Sequence, residues 1–328
     1  MANAGTMDDG LCRAAISMQA RHLLSTVCVR GGAECPMLEA DRAREILDRL
    51  SRDPTLTIRL ASSADVVPHY AGLEPDDEAR LAATALERKR DLDVLQRLGL
   101  VPGSARRARY LYTLLFERIA TPDGICAFDT PGWEGCPLAR SGAYESARDQ
   151  GWKAMVYHRS DDEMADYRRR NVERIAHGER LAVRPHHLMC LACWYAGGKG
   201  QEPRPNDTLY EIHQRIRRQP DVPITLVEGC CQACECCDGF HPDTGRCVHP
   251  GGLIRDYKKD LDVLQKLGLM PGATMGAREL FDLIFERIPS TRDICGYGTG
   301  VVTAEEWRIC GGPDGNPGYE QTRRTGVF

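Results

Sequence analysis

Apolar residues recur at helical spacing at Leu38, Ala43, Ile46, Leu47 and Leu50, and again at Leu209, Ile212 and Ile216, so each stretch predicts an amphipathic helix. A strand-like alternation beside proline follows each of them, at Leu56 to Leu60 and at Val222 to Val227. Next comes a helix that ends at Leu98-Gly99 or Leu267-Gly268, where glycine suits the left-handed cap position and a proline three residues on stops the helix. A last helix carries Leu111, Leu114, Leu115 and Ile119, or Leu280, Ile284, Phe285 and Ile288. The pattern predicts a helix-rich α+β fold, with a few amphipathic helices and one or two short strands, written twice.

The duplication is explicit in the residues. KRDLDVLQRLGLVPG at 89–103 returns as KKDLDVLQKLGLMPG at 258–272, with twelve of fifteen positions identical. The match runs on through Ile125-Cys126 and Ile294-Cys295, Trp133-x-x-Cys136 and Trp307-x-x-Cys310, and Tyr144-Glu145 and Tyr319-Glu320. Upstream, His22-Leu23-Leu24 answers His187-Leu188-Met189, and Cys28 answers Cys193. Two homologous modules in tandem are expected, over 12–150 and 181–328. Between them, 151–180 reads as a helical linker, because Asp161 to Ala176 is rich in Arg and Glu with few apolar positions.

Composition narrows the function classes. The chain has 328 residues, and its 43 basic and 47 acidic side chains leave a net charge of −4, which provides no general pull toward nucleic acid or an anionic membrane. No run approaches the roughly 18 apolar residues of a spanning helix. The start, MANAGTMDDGLCRAAIS, lacks the basic-then-apolar layout of a secretion signal, so a cytoplasmic location is expected. In that reducing compartment, fifteen cysteines point to metal ligands or reactive thiols before a disulfide framework.

The second module departs most from the first at GCCQACECCDGFHPDTGRC, which holds six cysteines between Cys230 and Cys247 where the aligned Ala61 to Tyr70 has none. Cys230, Cys234, Cys237 and Cys247 have the spacing C-x3-C-x2-C-x9-C, so three sulfurs on one tight loop and a fourth from a following turn can converge. Thiolates are soft anionic donors, suited to iron–sulfur clusters and zinc and poorly suited to magnesium or calcium. A second register, Cys231, Cys234 and Cys237, has the C-x2-C-x2-C spacing of bacterial ferredoxins. Structural zinc usually takes two short knuckles, and only Cys234 to Cys237 forms a clean one, so a 4Fe–4S cluster is the first expectation and zinc the alternative. His241 and His249 flank the loop and can stand in for a thiolate.

Alignment of the halves exposes a second set: His187, Cys190, Cys193, Cys295 and Cys310, with His22, Ser25, Cys28, Cys126 and Cys136 as counterparts. It is read as a second metal or cluster site, or as packing cysteines kept from an ancestral module. No phosphate-binding glycine loop, G-x-S-x-G or H-E-x-x-H occurs, so no substrate is named.

With RPHHLMC at 184–190, the cysteine group from Cys230, KLGLMPG from Lys266, and Asp293-Ile294-Cys295 followed by Trp307-x-x-Cys310, the second module resembles the domain of unknown function 1284 family of iron–sulfur binding proteins. The first module resembles a degenerate copy, without the Cys190 equivalent and the loop group. The family pattern has a further cysteine between the equivalents of Cys295 and Trp307, and this chain has none there. The resemblance implies a cluster-binding protein. The expected role is electron transfer or redox sensing beside a redox partner protein; the alternatives are a zinc-stabilised interaction module and an enzyme using a cluster with an open site.

Overall fold

A computed structural model describes residues 15–66, 78–198, 200–249, 256–295 and 316–328. The chain divides into two compact units, Met1–His158 and Arg159–Phe328. The fold is helix-rich α+β with small sheets. No helix among the described residues is long and apolar enough to cross a membrane.

The first unit runs β1 (Ala15–Gln19), α1 (His22–Arg30), α2 (Ala40–Arg52), β2 (Thr57–Ala61), α3 (Glu78–Leu98), β3 (Ala105–Arg107), α4 (Ala108–Arg118) and α5 (Ala143–Asp149). β2 is central, parallel to β1 and antiparallel to β3. A parallel pair needs a crossover, which α1 and α2 supply. In β2, Ile58 and Leu60 face the core while Arg59 is exposed, the period-two alternation of a half-buried strand. Ile46 and Leu50 of α2 and Leu111 and Leu115 of α4 close the same core.

The second unit runs α6 (Asp161–His177), β4 (Leu181–Val183), α7 (Pro185–Cys190), α8 (Leu209–Arg218), β5 (Pro223–Leu226), β6 (Phe240–His241), β7 (Arg246–Cys247), α9 (Lys258–Leu267), β8 (Thr274–Gly276), α10 (Ala277–Arg287), α11 (Arg292–Cys295) and α12 (Pro317–Thr325). Its main sheet has the same plan: β5 is central, parallel to β4 and antiparallel to β8. α7 passes directly into a π-helical turn, Leu191–Ala196. Gly99 and Gly268 both have the left-handed conformation expected after their helices, at φ of 63° and 69°.

The same internal ties recur in each unit. Asp91, on α3, accepts from the Arg21 backbone N–H at 2.9 Å and from its guanidinium at 2.8 Å. Asp260, the equivalent position on α9, accepts from the Arg184 guanidinium at 2.6 and 2.8 Å. Tyr144 donates to the Ile119 carbonyl at 2.9 Å, and Tyr319 donates to the Ile288 carbonyl at 2.7 Å.

The stretch expected as a helical linker holds helix α6, which is grouped with the second unit; Asn171 and Ile175 are buried and its other residues are exposed or half-buried. Ser160 caps its start by accepting from the Glu163 backbone N–H at 3.2 Å. Its composition is polar because its buried face is narrow and partly polar: Ile175 packs into the core while Asn171 donates to the Gln232 carbonyl.

Candidate metal centre

The cysteine loop begins at Gly229, whose φ of 82° turns the chain out of β5. A short 3-10 turn, Gln232–Cys234, follows, and the Cys234 N–H donates to the Cys231 carbonyl at 2.8 Å. The Cys237 N–H then donates to the Cys234 carbonyl at 2.9 Å, and the Gly239 N–H donates to the Cys237 sulfur at 3.3 Å. The β6–β7 hairpin sets Cys247 opposite Phe240, which returns the fourth thiol of the C-x3-C-x2-C-x9-C group to the first three. Spacing in the sequence therefore becomes proximity through two successive turns and one hairpin.

Around this loop lies a cavity of about 190 Å³. Cys230, Cys234, Cys237 and Cys247 line it, and so do His187, Cys190, Cys193 and Cys295. The two sets separated in the sequence therefore border one space. Cys310 lies outside the described residues, as does Trp307. His249 also lines the cavity, whereas the His241 ring is held by Thr244 Oγ1 at 2.8 Å.

The shortest contacts lie around Cys231 and Cys234. Their sulfurs are 3.9 Å apart, and His187 Nδ1 is 3.2 Å from the Cys231 sulfur. Ligand atoms of these three residues all lie within 4.8 Å of one another. Cys231, which belongs only to the second register, thus touches both His187 and Cys234. Cys236 is different: it is buried but faces Arg168 and Asp207, and burial pushes its thiol up to about 11.

Electrostatics mark the group as one set of donors. Hydrogen bonds from the Cys230 and Cys231 thiols hold Cys234 well below the ordinary thiol range, with His187 and Arg184 assisting against burial. A hydrogen bond from Cys230 brings Cys247 down to about 7. Sharing those protons raises Cys230, and burial raises Cys231 and Cys237. Burial lowers His187 to about 3, so its imidazole is neutral, the form that binds metals. The donor chemistry and the crowding fit a thiophilic metal, since a bound cation would take the place of the protons these sulfurs share.

The supporting shell consists of groups that the sequence does not single out by spacing. Arg184 is only 2% exposed and anchors on Asp260 next to the loop. Burial works to lower it, and Asp260 and the Cys234 sulfur outweigh that effect, so the guanidinium stays charged beside the thiols. Arg159 is 1% exposed, donates to the Glu235 and Cys237 carbonyls at 2.7 and 2.8 Å, and sits over the rings of Tyr167 and Phe240. Asn171 donates to the Gln232 carbonyl at 2.5 Å, and Arg174 pairs with Glu235. Helix α6 and its leading arginine therefore clamp the loop's backbone. The available signals were the aspartate repeated at Asp91 and Asp260 and the Arg184 of RPHHLMC, both read only as motif residues.

Comparison with family models, curated proteins and solved structures found no match.

Proposed function

We propose that the chain is an iron–sulfur protein, with a 4Fe–4S cluster bound through Cys230, Cys234, Cys237 and Cys247, and that it transfers electrons or senses redox state with a redox partner protein. The single observation that carries this reading is the number of thiols on one cavity: seven cysteines line it, where a structural zinc ion takes four ligands. The repeated architecture of the two units, which we read as copies of one module, supports it, because only the second copy carries the cysteine loop.

The bound cluster would supply one-electron chemistry. The chain's own residues set its surroundings: the Gly239 N–H bonds a ligand sulfur, and the Arg184 and Lys259 side chains bring positive charge to the cavity. Hydrogen bonds and positive charge at the sulfurs both favour the reduced state and raise the potential. Cys190, Cys193, Cys295 and Cys310, with His187, are proposed to hold a second metal or to complete the same centre.

A second reading has a specific observation behind it. The 3.9 Å between the Cys231 and Cys234 sulfurs is close to the ~3.8 Å edge of a tetrahedral site with zinc–sulfur bonds of about 2.3 Å. Protein purified without oxygen should be brown, with visible absorption that bleaches on adding dithionite. A colourless protein whose C-terminal half unfolds on chelation would establish the zinc module instead.

A further inference from the structure

Four buried cysteines of the first unit remain unassigned by the centre described above. Cys28 is on α1, Cys35 lies in the turn after it, and Cys126 and Cys136 flank the loop before α5. All four are free thiols. Cys35 has no counterpart in the repeat, because the aligned position in the second half is a glycine.

The fold draws the two pairs together. The Ala33 N–H donates to the Cys28 carbonyl at 3.0 Å, which bends the chain after α1 and brings Cys35 back. The Cys136 N–H donates to the Cys126 carbonyl at 2.7 Å, so those residues sit side by side at the neck of their loop. Arg90 ties one pair to the other: its Nη1 reaches Met37 Sδ at 3.0 Å, two residues past Cys35, and its Nη2 donates to the Cys126 carbonyl at 2.9 Å. Cys28 lies within electrostatic reach of Cys35, Cys126 and Cys136, and so does Cys126 of Cys35 and Cys136.

We infer that the first unit has its own thiolate centre, an iron–sulfur cluster held by Cys28, Cys35, Cys126 and Cys136. Arg90 is 5% exposed and its Nε has no partner, so a buried cation with spare donor capacity stands beside Cys126. Without a bound anionic group, that charge is expensive to bury. A cluster with four thiolates is such a group, and each thiol gives up its proton to solvent as its sulfur bonds to iron.

Among the described residues, no three of these sulfurs lie within 4.8 Å of one another. A cluster binds each thiolate to a separate iron and so accepts sulfurs set further apart than the ~3.8 Å edge of a tetrahedral zinc site.

The inference uses different residues from the proposed loop centre, so the two can fail separately. The test is the full chain carrying Cys230→Ser, Cys234→Ser, Cys237→Ser and Cys247→Ser, reconstituted anaerobically with equal ferrous and ferric iron and with sulfide. The expected result is that it still gains iron, sulfide and a dithionite-bleachable visible band, and that adding Cys35→Ser and Cys126→Ser abolishes them. If that second variant is unfolded by circular dichroism, Cys35→Ala replaces it as the milder change. A loop variant that takes up no iron and stays colourless, or that takes up zinc in preference, overturns the inference. The converse chain, with Cys35→Ser and Cys126→Ser and an intact loop, reports on the loop centre alone.

Discussion

His187 Nδ1 lies 3.2 Å from the Cys231 sulfur, and this contact joins α7 to the cysteine loop. It brings a neutral imidazole from one sequence motif against a thiol from another, 44 residues away. The consequence is a division among the six loop cysteines. Cys231→Ser is expected to lower iron content in protein purified without oxygen. Cys236→Ser, at a sulfur turned toward Arg168, should leave it unchanged. Metal analysis of the two variants side by side checks this, and equal loss in both would show that the division is wrong.

Asp260 and Asp91 each neutralise a buried arginine. Removing Asp260 leaves the Arg184 charge buried without its close partner, so Asp260→Ala should cost about 3–5 kcal/mol, and Asp91→Ala should cost less, because Glu87 still pairs with Arg21 at 3.1 Å. Chemical denaturation followed by circular dichroism measures this. Replacing an exposed pair such as Arg44 and Asp41 should cost under about 1 kcal/mol in the same assay.

Arg159 holds two loop carbonyls and stacks on two rings, all from a fully buried position. Arg159→Ala should leave the ligands in place but loosen the loop that carries them. Supporting residues of metal sites typically change affinity by about 10–100-fold, so metal should be lost to a chelator faster by a comparable factor. Stopped-flow or manual chelation kinetics on wild type and variant give the ratio.

His22 provides a pH dependence with a definite sign. Burial is the main cause that lowers its pKa to about 4, with the neighbouring Arg21 adding to it. The unfolded chain takes up this proton near pH 6.5, while the folded protein does so only near 4. Between those values the unfolded state binds more protons, so this stabilisation is complete above pH 6.5 and is lost as pH falls toward 4. The denaturation midpoint should fall over that window, and His22→Gln should flatten the fall.

Much of the fold was legible because it rests on local signals. Leu38 through Leu50 and Leu209 through Ile216 show helical periodicity, and Gly99 and Gly268 mark helix ends through their left-handed backbone. The third strand of each sheet was not legible, since Ala105–Arg107 and Thr274–Gly276 are three residues long, too short to show alternation. The ties from Arg159 and α6 to the cysteine loop were not legible, because hydrogen bonding to carbonyls buries Arg159 and Asn171, and a polar residue buried this way looks the same in sequence as one in water.

The candidate site was legible in its residues more than in its geometry. Spacing alone indicated that Cys230, Cys234, Cys237 and Cys247 can converge, and the hairpin pairing of Phe240 with Cys247 is the element that brings the last of them round. Nothing in the spacing ties His187 to Cys231, because that contact depends on how α7 packs against the loop. Cys35 was missed for a similar reason: it stands outside the repeat, and only the turn after α1 brings it near Cys28.

The most direct test of the central claim is quantitation of iron, acid-labile sulfide and zinc per chain in wild-type protein purified without oxygen. The account predicts iron and sulfide in equal amounts, at about four of each for every occupied 4Fe–4S centre, with little zinc. Zinc as the bound metal, with no acid-labile sulfide, would contradict it.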